Sequence, residues 1–286
     1  MGDDALRVAV TGASGLLGRH VVAALGAAGH AVVGIDLPGR GADREADLTA
    51  PGAALDALAG TDALVHAAAI PRPAGSSPAA VFSTNVGATF AVLHAAEALG
   101  IARVVLASSF SVLGLPFAPR PVHLKALPVD ESHPVAPQDA YALSKWLSEE
   151  IVDAWARRAG GRAVSLRMPW LQGPDTFWRE VGPRRDRAEA ALDLWAYLDG
   201  RDAGAAFAAA LARTAASGEG HDRLFVAAAD SYSETPSIDL ARTHWPGTRH
   251  DGLPGHASLI SSARAAAVLG WRPQHGWREY PREDPA

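Results

Sequence analysis

Two groups of polar side chains have the types and spacing of residues that move protons. Tyr141 and Lys145 stand four positions apart in YALSK, and a helix there places both on one face. An ammonium group close to a phenol lowers the phenol's pKa from about 10 toward neutrality, as a general acid or base requires. Ser108, Ser109 and Ser111 lie in ASSFSVLG, after a short apolar run. We expect a serine hydroxyl there to hold a substrate oxygen beside Tyr141.

Both groups also have a structural interpretation. A tyrosine and a lysine four positions apart are common on helices, and serines at strand ends often satisfy free backbone groups. The chemical interpretation therefore depends on what accompanies them in the sequence.

A glycine-rich turn indicates a second kind of chemistry, the binding of phosphate groups. In TGASGLLG, Gly12 permits a tight turn, Gly15 lets a pyrophosphate approach the backbone, and Gly18 lets the following helix pack closely. Asp36 lies 18 residues after Gly18, where a carboxylate accepts hydrogen bonds from an adenosine ribose. Its charge repels a 2′-phosphate and favours NAD over NADP, although Arg40 offsets part of that repulsion. The alternative is a turn that serves only helix packing.

The connection after Asp36 offers a further contact for a dinucleotide. Asp47 and Leu48 lie in ADLTA, where the adenine edge could bind. Asp47 is equally suited to capping a turn, because aspartate side chains accept hydrogen bonds from nearby backbone groups. The sequence leaves these two interpretations open.

The elements that must position these groups alternate along the chain. Strands are predicted at 6–11, 31–35, 63–66, 104–107 and 163–167, and helices at 16–28, 79–99 and 141–159. Nearly continuous apolar strands separated by helices indicate a parallel sheet covered on both faces. The sequence therefore predicts a doubly wound, Rossmann-type α/β core, with the serines and Asp36 at carboxyl ends of strands, where such sheets bind ligands.

We expect the chain to divide into two units. Residues 1–169 form the dinucleotide-binding core, and residues 170–286 form mainly a small C-terminal substrate lobe, with some elements returning to the core. Beyond residue 169 the alternation becomes irregular, with helices predicted at 202–215 and 261–269. The proline-rich segment 116–137 is a long connection of the kind that is usually functional or mobile.

Composition excludes several classes of protein. The chain has 286 residues, a formal net charge of -5 at pH 7 and no cysteine. Disulfides, thiolate nucleophiles and cysteine-ligated metals are therefore excluded, which fits a reducing cytoplasm. The lack of a long basic stripe argues against a nucleic-acid partner, and no apolar run reaches the roughly 18 residues of a membrane-spanning helix. We expect a cytoplasmic protein that binds a small molecule and does not associate with a membrane.

Six segments occur in the order typical of the extended short-chain dehydrogenase/reductases, the NAD-dependent epimerase/dehydratase family. They are TGASGLLG with Asp36, HAAA at 66–69, NVGATF with Asn85, ASSFSVLG, YALSK, and LRMPWLQGP at 166–174. The chain resembles that family over roughly its first two thirds. Its C-terminal segment SLISSARAAAVLGWRPQHGW is similar to the tails of uronate-dehydrogenase-like and small sugar or ketone oxidoreductases.

The resemblance implies roles for individual residues. Ser109 matches the catalytic serine or threonine of the family, Tyr141 matches its proton-transferring tyrosine, and Lys145 matches the lysine that lowers the tyrosine pKa and holds the nicotinamide ribose. The expected cofactor-binding residues are Gly12, Ser14, Gly15, Leu16, Leu17, Gly18, Asp36, Asp47, Leu48, Ala67, Ala68, Asn85, Lys145 and Pro169. Asn85 also has a purely structural alternative, and His66 is expected to be a packed histidine.

Candidate substrate contacts follow the same motifs. They are Arg72, Phe110, Ser111, Trp170 and Trp178. The two tryptophans are equally suited to being core aromatics. We expect no metal site, because the histidines of the C-terminal part recur every six residues, which matches no usual ligand spacing.

Two departures from the family narrow the expected chemistry. Dehydratases of the family carry acidic residues directly after the catalytic serine or threonine, where this chain has Phe110 and Ser111. The part after Pro174 is shorter than nucleotide-sugar epimerases generally use to enclose a sugar and its nucleotide. These departures favour a smaller substrate and disfavour dehydration.

The resemblance therefore implies an NAD(P)-dependent oxidoreductase that reduces a ketone or oxidises a secondary alcohol of a small polar molecule, such as a sugar acid or a natural-product intermediate. The alternative is an epimerase that retains NAD and acts on a sugar or nucleotide sugar. A third hypothesis, a catalytically silent dinucleotide sensor, is disfavoured by the intact serine, tyrosine and lysine. The resemblance also implies a homodimer formed through the helices that carry Tyr141 and Asn85.

Overall fold

The computed structural model describes residues 5–185, 187–216 and 218–282. Its strands are β1 (Arg7–Thr11), β2 (Ala31–Asp36), β3 (Arg44–Glu45), β4 (Ala63–His66), β5 (Arg103–Ser109), β6 (Ala126–Leu127), β7 (Arg162–Met168), β8 (Trp170–Gln172), β9 (Tyr197–Asp199), β10 (Gly220–Phe225) and β11 (Arg249–His250). Its helices are α1 (Leu16–Ala27), α2 (Ala53–Leu58), α3 (Pro78–Ala98), α4 (Ala140–Ala159), α5 (Phe177–Glu180), α6 (Gly200–Arg213), α7 (Ser237–His244) and α8 (Ala263–Leu269).

The centre of the fold is a seven-stranded parallel sheet. Its strand order is β10, β7, β5, β4, β1, β2, β3. The chain moves outward from β1 to β3 and then crosses back to β4, so the strand order reverses between β1 and β4. Ligands of open α/β sheets bind outside the carboxyl ends of the strands at such a reversal. The predicted doubly wound fold is confirmed.

Apolar layers cover both faces of this sheet. Helices α1 and α6 pack against each other on one face, and α3 and α4 pack against each other on the opposite face. Strand β4 is buried along its whole length, as expected for a strand in the middle of a sheet with two covered faces. These layers fix the strand ends and the first turns of α1 and α4 relative to one another.

The residues after 169 contribute to the central sheet and to a second apolar cluster. Strand β10 pairs in parallel with β7, and α6 lies against α1, so these elements complete the sheet and its helical layer. A separate apolar cluster contains Phe177, Tyr197 and Trp277. The segment 116–137 joins that lobe, because Leu127 is buried in the same cluster and β6 pairs with β11. The division into residues 1–169 and 170–286 stays a prediction.

Helix α3 has the length and composition of a membrane-spanning helix. It is the one helix among residues 5–185, 187–216 and 218–282 that meets this test, and 44% of its apolar window is buried within the protein. It packs against α4 and contributes Ala88, Val92 and Ala96 to the core beneath the sheet. Core helices of globular proteins meet the same test, so α3 is weak evidence for a membrane span.

Candidate active site

The glycine-rich turn joins the end of β1 to the start of α1. Gly12 has a φ of +70°, and a Cβ there would lie 2.8 Å from the Ala68 backbone at the end of β4. A Cβ on Gly18 would lie 2.1 Å from the Gly12 carbonyl oxygen. The close packing that Gly18 permits is therefore against the turn itself. Glycine at both positions lets the turn lie directly over the strand reversal.

The first turn of α1 has the features of an anion-binding site. Gly15 occupies the N-cap position and provides no side-chain hydrogen bond to the helix. The amide N–H groups of the first turn are consequently open to an anionic ligand, and the helix dipole favours negative charge there. Leu16, at the start of α1, is 41% exposed. These features fit the pyrophosphate of a dinucleotide.

Asp36 lies at the end of β2, beside this turn. Its Oδ2 accepts the Ser14 N–H at 2.9 Å and its Oδ1 accepts the Leu37 N–H at 2.8 Å. The carboxylate is thus held at the edge of the site, which fits a role in holding a ribose.

Asp47 Oδ1 accepts from the Thr49 N–H and hydroxyl, and these hydrogen bonds lower the Asp47 pKa. Asp47 therefore caps this turn, its contact with an adenine stays a prediction, and Leu48 is buried in the core.

Thr11 joins β1 to the end of β4. Its Oγ1 accepts the N–H groups of Ala67 and Ala68, each at 3.1 Å, and lies 2.8 Å from His66 Nδ1. Because two amides already use its acceptor capacity, the Thr11 hydroxyl donates to Nδ1, and the His66 proton lies on Nε2, which faces Thr89 Oγ1 at 3.2 Å. Burial, and secondly the Lys145 charge, lower the pKa of His66 to about 3. His66 is a packed neutral histidine, as predicted.

Helix α4 brings Tyr141 and Lys145 to the carboxyl end of β5. Asp139 caps the helix by accepting the N–H groups of Tyr141 and Ala142, at 2.8 Å and 2.9 Å. Lys145 Nζ donates to the Ala107 carbonyl at 2.8 Å and lies 5.8 Å from the centre of the Tyr141 ring. Capping and this strand contact fix both side chains beside β5.

Ser109 meets Tyr141 at the same strand end. Its side chain lies beside the Tyr141 phenol and favours the ionised form of that phenol, and its Oγ accepts the Ser111 N–H at 3.1 Å. The structure thus brings Ser109, Tyr141 and Lys145 together, on β5 and α4, one strand away from β4. This arrangement holds a hydroxyl, a phenol and an ammonium group at the reversal of the sheet.

The charge states of this cluster are dominated by burial. Burial raises the pKa of Tyr141 to about 12, while the Ser109 hydrogen bond acts in the opposite direction. Burial lowers the pKa of Lys145 to about 8, and the Glu149 carboxylate opposes that shift. The Tyr141 shift is opposite in direction to the one predicted from the Tyr/Lys spacing. The reason is that desolvation of the phenolate is the largest influence on Tyr141 and that the Asp139 carboxylate acts in the same direction.

The Asn85 side chain on α3 forms hydrogen bonds to the connection after β4 and to α4. Its side chain accepts the Ile70 N–H at 2.8 Å and donates to the Ile70 carbonyl at 3.1 Å and to Ser144 Oγ at 3.0 Å. It therefore fixes the connection after β4 against α4. Pro169 lies between β7 and β8, at the edge of the sheet where the carboxyl ends of β5 and β7 lie.

The expected substrate contacts occupy different environments. Phe110 is 4% exposed and packs in the apolar cluster of the lobe, so its ring serves the core. Ser111 is fully buried, and among the residues that the structure describes its Oγ has no hydrogen-bond partner. Trp170 is partly buried, with the Arg184 guanidinium 5.1 Å from its ring centre.

Trp178 and Arg72, the other two expected substrate contacts, also lie in different environments. Trp178 packs edge-on against Phe177 and Trp277 in the aromatic part of the lobe cluster, as the core alternative predicts. Arg72 is exposed on the connection between β4 and α3. The described residues contain no group of three or more histidine, aspartate or glutamate side chains that could hold a metal ion.

Two charged residues next to the site are not predicted from the sequence. Glu149 and Arg167 form a buried ion pair directly behind Ser109 and Lys145. A signal for Glu149 exists in the sequence, because positions 141, 145 and 149 recur at the helical spacing of four. Arg167 had no such signal, since only the pairing of β7 with β5 brings it near α4.

The sequence model of the NAD-dependent epimerase/dehydratase family matches residues 8–222 of this chain. The chain belongs to this family. It is 36% identical over 196 residues to the L-arabinose 1-dehydrogenase (NAD(P)(+)) of Haloferax volcanii, a match that covers 66% of this chain and 76% of that protein. It is 33% identical over 134 residues to a UDP-glucose 4-epimerase of Rhizobium meliloti, which covers 46% of this chain and only 38% of that protein.

Solved structures of the epimerase/dehydratase type have the same fold. MoeE5 in complex with UDP-glucose and NAD is 26% identical, with a TM-score of 0.70 and coverage of 96% of this chain and 95% of that chain. A short-chain dehydrogenase/reductase superfamily protein from Agrobacterium tumefaciens with bound NAD is 26% identical, with a TM-score of 0.68 and coverage of 94% and 93%. The chain is therefore an NAD(P)-dependent enzyme of the extended short-chain dehydrogenase/reductase type, and its predicted resemblance is confirmed.

Proposed function

We propose that this epimerase/dehydratase-family enzyme is a net oxidoreductase that interconverts a secondary alcohol, including the hemiacetal carbon of a sugar, and the corresponding carbonyl compound. The observation that carries the proposal is the cluster of Ser109, Tyr141 and Lys145 at the end of β5, beside an uncapped helix N-terminus. The similarity to an arabinose 1-dehydrogenase supports a small sugar or sugar acid as substrate.

Each residue of the cluster has a distinct part in this reaction. Tyr141 exchanges the proton of the substrate oxygen, Ser109 orients that oxygen by a hydrogen bond, and Lys145 stabilises the ionised phenol and holds the nicotinamide ribose. A bound nicotinamide supplies or accepts the hydride and adds positive charge in its oxidised form. Burial raises the Tyr141 pKa to about 12, and the Lys145 ammonium group, 5.8 Å from the centre of the Tyr141 ring, is the charge of this chain that would favour the ionised phenol.

The cofactor cradle follows from the glycine turn and its neighbours. Gly12, Gly15 and Gly18 let a pyrophosphate approach the first turn of α1, and Asp36 binds the adenosine ribose and favours NAD over NADP. Ser14, Leu16 and Leu17 of the turn, Ala67 and Ala68 after β4, and Pro169 after β7 complete the proposed contacts. Ser111 and Trp170 are the proposed substrate contacts.

A second candidate is an epimerase that retains NAD. The similarity to UDP-glucose 4-epimerases supports it, and it uses the same serine, tyrosine and lysine. An epimerase returns the hydride to its substrate and so releases no NADH. The two candidates are separated by whether turnover consumes free cofactor.

The deciding experiment measures NADH or NADPH formation with L-arabinose, D-galacturonate and UDP-glucose, each with added NAD or NADP. We expect the Tyr141→Phe variant to lose about 10²- to 10⁴-fold in turnover while its NADH affinity, measured by fluorescence, stays within twofold. Equal turnover by Tyr141→Phe and wild type would remove Tyr141 from the mechanism. A tightly retained NAD with sugar interconversion and no net NADH would favour the epimerase.

We also propose a cytoplasmic homodimer that is formed through α3 and α4. Phe90 on α3 is 57% exposed, which supports an apolar contact surface there. Trp155 of α4 is fully buried in the core and cannot contribute to it. Light scattering of the purified chain is the test, and a monomer at all concentrations would remove this part of the proposal.

A further inference from the structure

A buried charged cluster lies behind the Ser109, Tyr141 and Lys145 site. The Glu149 carboxylate is fully buried and one helical turn beyond Lys145 on α4. Its Oε1 accepts from Ser108 Oγ at 2.6 Å and from Arg167 Nε at 2.9 Å, and its Oε2 accepts from Arg167 Nη2 at 2.7 Å. One carboxylate thus joins α4 to β5 and β7.

Strand β10 adds a second cation to this cluster. Arg223 Nε lies 3.1 Å from Glu149 Oε2, and the same guanidinium also pairs with Glu150 and Asp153. Taking a carboxylate fully out of water is costly, and an apolar pair of similar size is often no less stable. Stability alone therefore does not account for this charge at this position.

The location of Glu149 relative to the reactive groups suggests what the charge does. Lys145 donates to the Ala107 carbonyl, and Glu149 accepts from the next residue of β5, Ser108. The residue after that is Ser109. We propose that Glu149 is a positioning residue, whose carboxylate keeps the buried Lys145 ammonium group charged and fixes the strand end that carries Ser109.

The other groups around Lys145 do not replace this charge. On α4, Tyr141 is a neutral phenol, and from β4 His66 faces Lys145 as a neutral imidazole with both nitrogens hydrogen-bonded. The cations of β7 and β10, Arg167 and Arg223, face the Glu149 carboxylate. Glu149 is also the opposing influence when burial lowers the Lys145 pKa to about 8. A pKa of about 8 leaves Lys145 mostly charged at neutral pH, but a small further decrease in this pKa would leave much of it neutral.

The composition of the chain permits a direct test. The sequence contains two lysines, Lys145 and the exposed Lys125. Labelling with lysine that is ¹³C-enriched at Cε therefore gives two NMR signals whose chemical shifts report protonation against pH. A Lys145→Arg variant assigns them. Protonation of Lys145 is read on the full chain without substrate, so this test does not require the proposed reaction to be correct.

The informative variant is Glu149→Gln, with Glu150→Gln as its matched control. Glu150 is the adjacent residue, also pairs with Arg223, and has a half-exposed side chain, but it makes no contact with Ser108 or Arg167. We expect Glu149→Gln to lower the pH at which Lys145 titrates by about one unit or more, because an opposite charge is lost. Glu150→Gln is expected to leave that titration unchanged.

The sign of the shift separates the proposal from mere loosening of the structure. Loosening admits water, relieves the desolvation of Lys145 and raises its titration toward the ordinary value. A rise in Glu149→Gln, or no change, would therefore overturn the proposal. If that variant does not fold, the double variant Glu149→Gln, Arg167→Leu removes both partners of the buried pair, and a smaller downward shift is expected, because a neighbouring cation is removed together with the carboxylate.

Discussion

Substitution of Gly18 by alanine tests how the turn between β1 and α1 is built. A Cβ at this position would lie 2.1 Å from the Gly12 carbonyl oxygen and 2.7 Å from Ala13 Cα, whereas real Cβ contacts essentially never fall below 3.0 Å. The Gly12 carbonyl must therefore retreat by about 0.9 Å. That carbonyl also accepts the Gly15 N–H at 3.1 Å, so the movement disturbs the turn as well as the helix packing.

The magnitude follows from the cost of such overpacking. Forcing one methyl group into a closed site costs about 1–3 kcal/mol, and a chain of this size loses roughly 3 °C in Tm per kcal/mol. We expect Gly18→Ala to melt about 3–9 °C below wild type. NADH affinity should fall by at least about tenfold, because the displaced turn presents its amides away from the pyrophosphate.

Gly26 provides the matched control on the same helix. A Cβ there meets no atom within 4 Å, and its φ lies outside the left-handed region. Gly26→Ala should therefore raise stability by about 0.5–1 kcal/mol through helix propensity and leave NADH affinity unchanged. Differential scanning fluorimetry measures the stability, and NADH fluorescence titration measures the affinity. Equal melting temperatures and equal NADH affinities for Gly18→Ala and wild type would refute the steric reasoning.

Two further predictions concern charge. Asp36→Asn keeps an acceptor oxygen for the Ser14 N–H but removes the negative charge, so we expect the preference for NADH over NADPH to fall by about tenfold, as measured by fluorescence titration. An unchanged preference would contradict the role of Asp36. His66 has a folded-state pKa of about 3, below its ordinary value of 6.5, so the unfolded chain binds the proton first as the pH falls. The free energy of unfolding should therefore decrease by up to about 1.4 kcal/mol per unit between pH 6.5 and pH 3, an effect that His66→Gln removes and that exposed His250→Gln leaves in place. Urea unfolding at several pH values measures this, and parallel curves for His66→Gln and wild type would exclude a buried neutral His66.

Local sequence patterns were sufficient to predict the core strands and helices and to identify the family. The predicted strand at 63–66 agrees with β4, and the other core strands and helices agree within about two residues at either end. Helix α6 begins earlier than the predicted 202, because Asp199 caps it by accepting the Arg201 N–H. The apolar pattern predicts only a short element at 224–228, whereas β10 begins at Gly220, since its early residues are polar and only pairing with β7 makes them a strand.

The sequence by itself determined the alternation of strands and helices, the glycine turn with Asp36, and the common face of Tyr141 and Lys145. These features depend on backbone sterics and on periodicity within a few residues, which a sequence displays directly. Only the tertiary structure decided that burial raises the Tyr141 pKa, that Phe110 belongs to the lobe core, and that Glu149 lies behind the site. Ser108 and Glu149 are 41 residues apart, and their hydrogen bond exists because the sheet and α4 bring distant segments into one dry interior. Desolvation and charge pairing belong to that interior and have no local pattern in the chain.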